Sequence, residues 1–470
     1  MKYMFACFCC FILSSCTTIP DKAYHPVKCS NENACSETEL DIKLNAITNM
    51  VIKNGWSAFT SEEVVFNNKD KIDKTSFSLF YLEYDEDGKK FEGNRQLNLI
   101  KHAIETSDKP VYLFVYVHGW NNNANTDGVD ENFDTAAFPY LLARRSFQNP
   151  DMNIIGVYLG WRGAKYKYRP AHFLTPLDRA RAADRIGGSD SKEVRNDLVF
   201  LANHVEKSTH SGYSLIMGHS FGGRLLSRAF MDDLANTKSI DDWPLGKKSL
   251  LANLNPAIGA DAFDEIYRNM PGRGEGLQRP LWINLTSEDD NSTKRTFPRA
   301  RFLLQDLTDK PYSGVNDAVG HYDPYLSHWV TSAGGIVGTV DDNNKNTEAD
   351  LINCKFEDAE VILKDNKPWF EIPTTLEDCA TRHLYENKEH GKGEFHYYTT
   401  GLWPFDWSRA EITKRELGYM WNFQVDDTLI DHSETEEKAS GNGPHNAFVQ
   451  TILGRMLDDM LFTPPEKSLD

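Results

Sequence analysis

One stretch limits the fold of this chain more than any other: Tyr213-Ser214-Leu215-Ile216-Met217-Gly218-His219-Ser220-Phe221-Gly222-Gly223. Its apolar start reads as a buried strand, and a Gly-x-Ser-x-Gly turn follows at once. Phe221, Leu225, Leu226, Ala229 and Phe230 then recur at the spacing of one helix face. A strand that passes straight into a helix must turn sharply, and the residue at the corner is thrust clear of the sheet. Gly218 and Gly222 flank that corner and let backbone and helix approach without a Cβ clash. The corner residue is Ser220. A bare Gly-x-Ser-x-Gly arises often by chance; the strand before it and the helix after it give it weight.

The same alternation extends to both sides. Apolar runs at 77–84, 111–117, 153–159, 250–254 and 281–285 read as strands, and 421–430 as a last one. Between them, Leu97, Ile100 and Ile104 mark one helix face, and Val194, Leu198, Leu201, Ala202 and Val205 another. A short helix is expected near Phe263 and Tyr267, and a closing helix over 446–461. Strands alternating with amphipathic helices predict an α/β fold, a mainly parallel sheet covered on both faces. Ligands of such sheets lie at the carboxyl ends of the strands, where His118, Ser220 and Asp290 all fall. The acidic turn Asp85-Glu86-Asp87-Gly88 lacks a full twelve-residue calcium loop and reads as an ordinary turn.

A serine hydroxyl is a weak nucleophile. It needs a base, an acid to orient that base, and donors for the developing oxyanion. Strand, elbow and helix together resemble the α/β-hydrolase superfamily, in which nucleophile, acid and histidine follow one another in that order. Val117-His118-Gly119-Trp120-Asn121-Asn122-Asn123-Ala124, Gly160-Trp161-Arg162-Gly163, Ser287-Glu288-Asp289-Asp290 and Pro444-His445-Asn446 also look like esterase-like bacterial members of that group. The resemblance implies the fold and a triad of Ser220, Asp290 and His445. The Trp120 and Phe221 N–H groups would form the oxyanion hole. Asp289 is the alternative acid. His328, His321 and His432 are alternative bases. His118, placed at the oxyanion loop, reads as a shaping residue rather than the base.

The amino terminus carries a separate signal. Met1-Lys2 precedes an apolar run over 3–13, too short to span a bilayer but suited to a signal-peptide core. It ends in Leu13-Ser14-Ser15-Cys16, which resembles the lipobox of bacterial lipoproteins, with Cys16 as the acylated residue. Thr17 after it resembles lipoproteins sorted to the outer membrane. The expected location is therefore the bacterial cell envelope, with the membrane engaged through the lipid. Cys29, Cys35, Cys354 and Cys379 remain after processing, an even set suited to an oxidising compartment. They are predicted to pair as Cys29–Cys35 and Cys354–Cys379, the second loop contributing ~3 kcal/mol. None of these four forms the Cys-x-x-Cys spacing that would support a metal site.

The domain reading runs from a signal peptide (1–15) through a polar tether (16–40) to a first part of the hydrolase core (41–290). A large aromatic-rich insertion (291–415) follows as a cap, holding Tyr322, Tyr325 and Trp329. The last strand and helix lie in 416–470. A net charge of −18 argues against a nucleic-acid partner, because phosphate binding needs a basic surface. The reading is a membrane-anchored serine hydrolase acting on a small-molecule or lipid-like ester, with no metal or organic cofactor. A binding lipoprotein on the same scaffold, or an amidase, peptidase or acyltransferase with the same triad, is the rival.

Overall fold

The computed structural model describes residues 22–26, 29–31, 34–35, 77–125, 133–166, 175–188, 192–269, 279–288, 290–304, 316–333, 360–364, 367–373, 418–425, 451–462 and 464. A small antiparallel ladder pairs β1 (Cys29–Asn31) with β2 (Ala34–Cys35). The body of the fold is a 10-stranded sheet of order β10-β11-β9-β12-β8-β7-β6-β4-β5-β3. Its strands are β3 (Phe77–Glu83), β4 (Val111–Val117), β5 (Asn153–Gly160), β6 (Tyr213–His219), β7 (Ser249–Leu254), β8 (Trp282–Ser287), β9 (His328–Ala333), β10 (Glu360–Lys364), β11 (Lys367–Pro373) and β12 (Met420–Val425). Every pairing is parallel except β10 with β11. This is the α/β architecture expected of an α/β-hydrolase fold.

The helices are α1 (Arg95–Glu105), α2 (Phe133–Gln148), α3 (Pro176–Gly187), α4 (Glu193–Glu206), α5 (Phe221–Asn236), α6 (Asp264–Asn269), α7 (Phe297–Leu304) and α8 (Thr451–Phe462). Strand β4 shows why they cover two faces. It is apolar throughout and wholly buried, and its side chains alternate. Val111, Leu113, Val115 and Val117 enter the main core with Leu198 and Leu201 of α4 and Leu225 of α5. Tyr112, Phe114 and Tyr116 face the other way. Phe138 of α2 packs on Phe114 at 5.2 Å, and Phe462 of α8 packs on Tyr112 at 5.8 Å between ring centroids. Each such side chain contributes ~1.5–3 kcal/mol by leaving water. Tyr112 and Arg145 both donate to Asp458, which ties α2 to α8 on that face.

The order in which strands are added reverses at the middle of the sheet. From β4 the chain moves to β5 on one side, then returns across to β6 on the other. The connections leaving β4 and β6 therefore run toward opposite edges, the kind of switch point at which sheets of this class bind their ligands.

The segment expected as an insertion contributes to the sheet itself: β9, β10 and β11 prolong it beyond β12. A cap over the site lies outside the described residues. Tyr325 stacks on Tyr267 at 3.8 Å and donates through its hydroxyl to Asp264, so this member of the aromatic set packs the core. Asp85 accepts from the N–H groups of Asp87 and Lys89, the ordinary turn read from the sequence. Part of the expected tether, residues 22–26, is docked on the core through Glu83.

Candidate active site

Strand β6 ends at His219, α5 begins at Phe221, and Ser220 alone forms the corner, with φ 53 and ψ −115. Left-handed φ is costly for a residue with a Cβ, ~1–3 kcal/mol, and persists only where the surroundings impose it. Several contacts impose it here. The Ser220 N–H donates to the Leu254 carbonyl, and the Ser220 carbonyl accepts from the N–H groups of Arg224 and Ala257. Arg224 is buried; its guanidinium donates to Asp184 of α3 and to the Ala257 carbonyl. Helix α5 comes so close to β4 that a Cβ at Gly222 would overlap the Val117 and His118 carbonyl oxygens. Ser220 itself stays half-buried while its neighbours His219 and Phe221 are buried.

The loop after β4 lies against this corner. A Cβ on Gly119 would stand 3.1 Å from the Ser220 Cβ. The next residue, Trp120, donates from its indole to Thr175 Oγ1 and rests on the Phe221 ring at 6.5 Å. The two residues expected as oxyanion donors are therefore neighbours. Phe221 is the first residue of α5, so its N–H has no acceptor within the helix.

His118 shapes that loop. It is fully buried; its Nδ1–H donates to the Gly119 carbonyl, and its Nε2 accepts from the Trp161 N–H. The Trp161 indole donates back to the His118 carbonyl. Burial holds the imidazole neutral, its pKa lowered to about 4. With both ring nitrogens engaged, His118 is a fixed brace. The opposite side of the loop is held by Asp134 of α2, which accepts from the Tyr116 hydroxyl, the Asn122 amide and the Gly119 N–H. Burial pushes its carboxyl up to about 7.

Asp290 lies just beyond β8, two strands from β6, and is buried. Its Oδ1 accepts from the Ser292 N–H at 3.0 Å and its Oδ2 from the Thr293 hydroxyl. Thr293 Oγ1 is in turn 3.0 Å from His321 Nε2, and with its own hydrogen given to the carboxylate it accepts the imidazole N–H. Asp290 and His321 are thus joined through one hydroxyl. Thr293 was not anticipated. The one sequence signal for it is its place three residues after Asp290. The Asn255 side chain, accepting from the Ser287 N–H, links the loops after β7 and β8.

His445 and His432, Asp289, Cys16, Cys354 and Cys379 lie outside the described residues. His328 opens β9 and pairs with Phe423 of β12. The backbone register of the small ladder sets Cys29 opposite Cys35. Among the described residues no group of three or more His, Cys, Asp or Glu is arranged to hold a metal ion. None of their helices is long and apolar enough to cross a membrane.

No family model matches the chain, and no curated protein matches it. Among solved structures, it is similar to one from a structural and mechanistic study of two prolyl endopeptidases. That neighbour is 16% identical with a TM-score of 0.21; the match covers 46% of this chain and 31% of the other. The chain thus spans less than a third of the neighbour's length, and so weak a likeness assigns no residue a role.

Proposed function

We propose that the protein is a serine hydrolase that cleaves carboxylic esters and is anchored to the cell envelope through a lipid on Cys16. The observation that carries the enzyme reading is Ser220 alone at a left-handed corner, with the Gly119–Trp120 loop against it. Its hydroxyl attacks the substrate carbonyl, and a histidine takes the proton. The N–H groups of Trp120 and Phe221 receive the oxyanion, each such donor lowering the barrier by ~3 kcal/mol. The protonated histidine then gives its proton to the leaving alcohol, and water releases the acyl group by the same route. Asp290, buried at the carboxyl end of β8, orients the histidine.

His445 is the proposed base. Strand β12 runs parallel to β8, and the Glu288 N–H donates to the Val425 carbonyl, so the chain leading to His445 departs beside the Asp290 loop. A second reading has a specific observation behind it: His321 already reaches Asp290 through Thr293. A fluorophosphonate probe tests the enzyme. Labelling is expected in the wild type and absent from a folded Ser220→Ala variant; no labelling of either would refute a serine hydrolase. His445→Ala is expected to lose activity by ~10³-fold or more while His321→Ala retains most of it. The reverse pattern would transfer the base to His321.

A further inference from the structure

The buried carboxylate of Glu83 has no part in the proposed chemistry. It stands at the carboxyl end of β3 and receives two consecutive backbone N–H groups, those of Tyr24 and His25, at 2.8 Å each. Gln96 of α1 braces the arrangement. Its side chain accepts from the Glu83 N–H and donates to the His25 carbonyl. The His25 ring lies flat on Tyr81 at 3.5 Å, and its Nε2 reaches the carbonyl of Ala124, in the loop that begins with His118. A peptide segment held at both backbone and side chain is a fixed attachment point, at a definite place on the fold.

That place is the rim bearing Ser220. Strands β3, β5, β4 and β6 are parallel neighbours; Glu83 pairs with Gly160, Leu159 with Val117, and Val117 with Gly218. Their carboxyl ends are level, and three strand spacings separate Glu83 from the serine strand, ~14 Å. From Cys16 to Lys22 the chain can span at most ~20 Å whatever its conformation. Attachment at the opposite rim would have set the whole strand length, ~23 Å for the seven residues of β4, between membrane and site.

Resting on the proposed lipidation and the proposed ester hydrolysis, we infer that the chain from Cys16 to the clamp at residues 22–26 is a short leash that turns the Ser220 rim toward the bilayer, and that the substrate is an acyl ester resident in the membrane. A soluble ester has no need of this geometry. For an ester held in the lipid plane, the leash keeps the Ser220 corner within reach of the headgroup region.

The test uses full-length lipidated protein in phosphatidylethanolamine–phosphatidylglycerol vesicles. A variant carrying twenty Gly/Ser residues between Pro20 and Asp21 lengthens the leash and leaves the Glu83 clamp and the active site untouched. Two substrates are compared, a fluorogenic long-chain acyl ester incorporated in the vesicles and water-soluble p-nitrophenyl acetate. The lengthened leash is expected to lower the vesicle rate at least fivefold and leave the soluble rate within twofold. Equal vesicle rates, or a wild type that cleaves only the soluble ester, would overturn the inference while ester hydrolysis stood. Failure of Cys16 to incorporate labelled palmitate would also overturn it. Silence on both substrates would bring down the hydrolase reading, and this inference with it.

Discussion

Replacing Asp134 by asparagine keeps the shape of a buried side chain and removes its titration. In the folded chain this carboxyl is pushed up to about 7 from its ordinary 3.8, because burial disfavours the charge more than its hydrogen bonds restore it. The Tyr116 and Tyr158 phenols facing it from β4 and β5 bring no compensating positive charge. A raised acid pKa means that the native state holds a proton the unfolded chain has released. The associated stability is fully present below pH ~4 and is lost as pH rises through ~7. Between pH 5 and pH 8 that loss amounts to about 3 kcal/mol. His118 acts in the opposite sense. Its pKa falls to about 4, so its contribution is present above ~6.5 and is lost as pH falls toward 4, about 2 kcal/mol over the same range. In the wild type the two largely cancel. Comparing wild type with Asp134→Asn removes His118 and every other shared group from the difference. Urea unfolding at pH 5, 6, 7 and 8 should show the variant gaining about 3 kcal/mol on the wild type across the series. A difference that stays constant with pH would refute the assignment of a neutral carboxyl to this position.

Two further perturbations bear on the corner and on the cysteines. Gly222→Ala forces a Cβ into the Val117 and His118 carbonyls, so the protein should lose ~1–3 kcal/mol. Because the strain falls on the loop beside Ser220, fluorophosphonate labelling should slow by more than the unfolded fraction accounts for. An unchanged labelling rate would mean that the close approach of α5 to β4 does not set the site. If the protein is exported and processed as proposed, a thiol reagent in denaturant should find no reactive cysteine before reduction and Cys29, Cys35, Cys354 and Cys379 after it; four free thiols without reductant would remove both expected disulfides.

The parts legible in the sequence were those set by local pattern. An unbroken apolar run such as 111–117 can be satisfied only by a strand buried on both faces, and β4 has those bounds. The elbow was legible because glycine on both sides of a serine, between a strand and a helix, has few other physical uses. Helix α2 was missed. It contains Pro139, which removes an interior hydrogen bond and argues against helix, yet Asp134, Phe138 and Leu142 bury enough to hold it. Strands β9 to β11 were missed because a segment such as Lys367–Pro373, with proline at both ends, reads as edge or loop. Thr293 was illegible for another reason. The contact between Asp290 and His321 spans loops far apart in sequence, and no local period encodes it.

The site lies at the reversal in strand order, and that placement follows from packing. Wherever successive strands step the same way, each connecting helix covers the gap beside the next, as α5 does between β6 and β7. At β4 and β6 the connections leave toward opposite edges, so no single helix covers the gap and the two loops must finish it. Holding such loops apart requires buried polar braces, because an apolar brace would leave their carbonyls unpaired. His118 and Trp161 brace one side of the β4 loop, Asp134 braces the other, and Arg224 with Asp184 holds the turn beyond β7. The strain at Ser220 persists because these groups would each lose a buried hydrogen bond if the corner relaxed. The same buried network therefore fixes the Gly119–Trp120 loop and the Ser220 corner relative to one another.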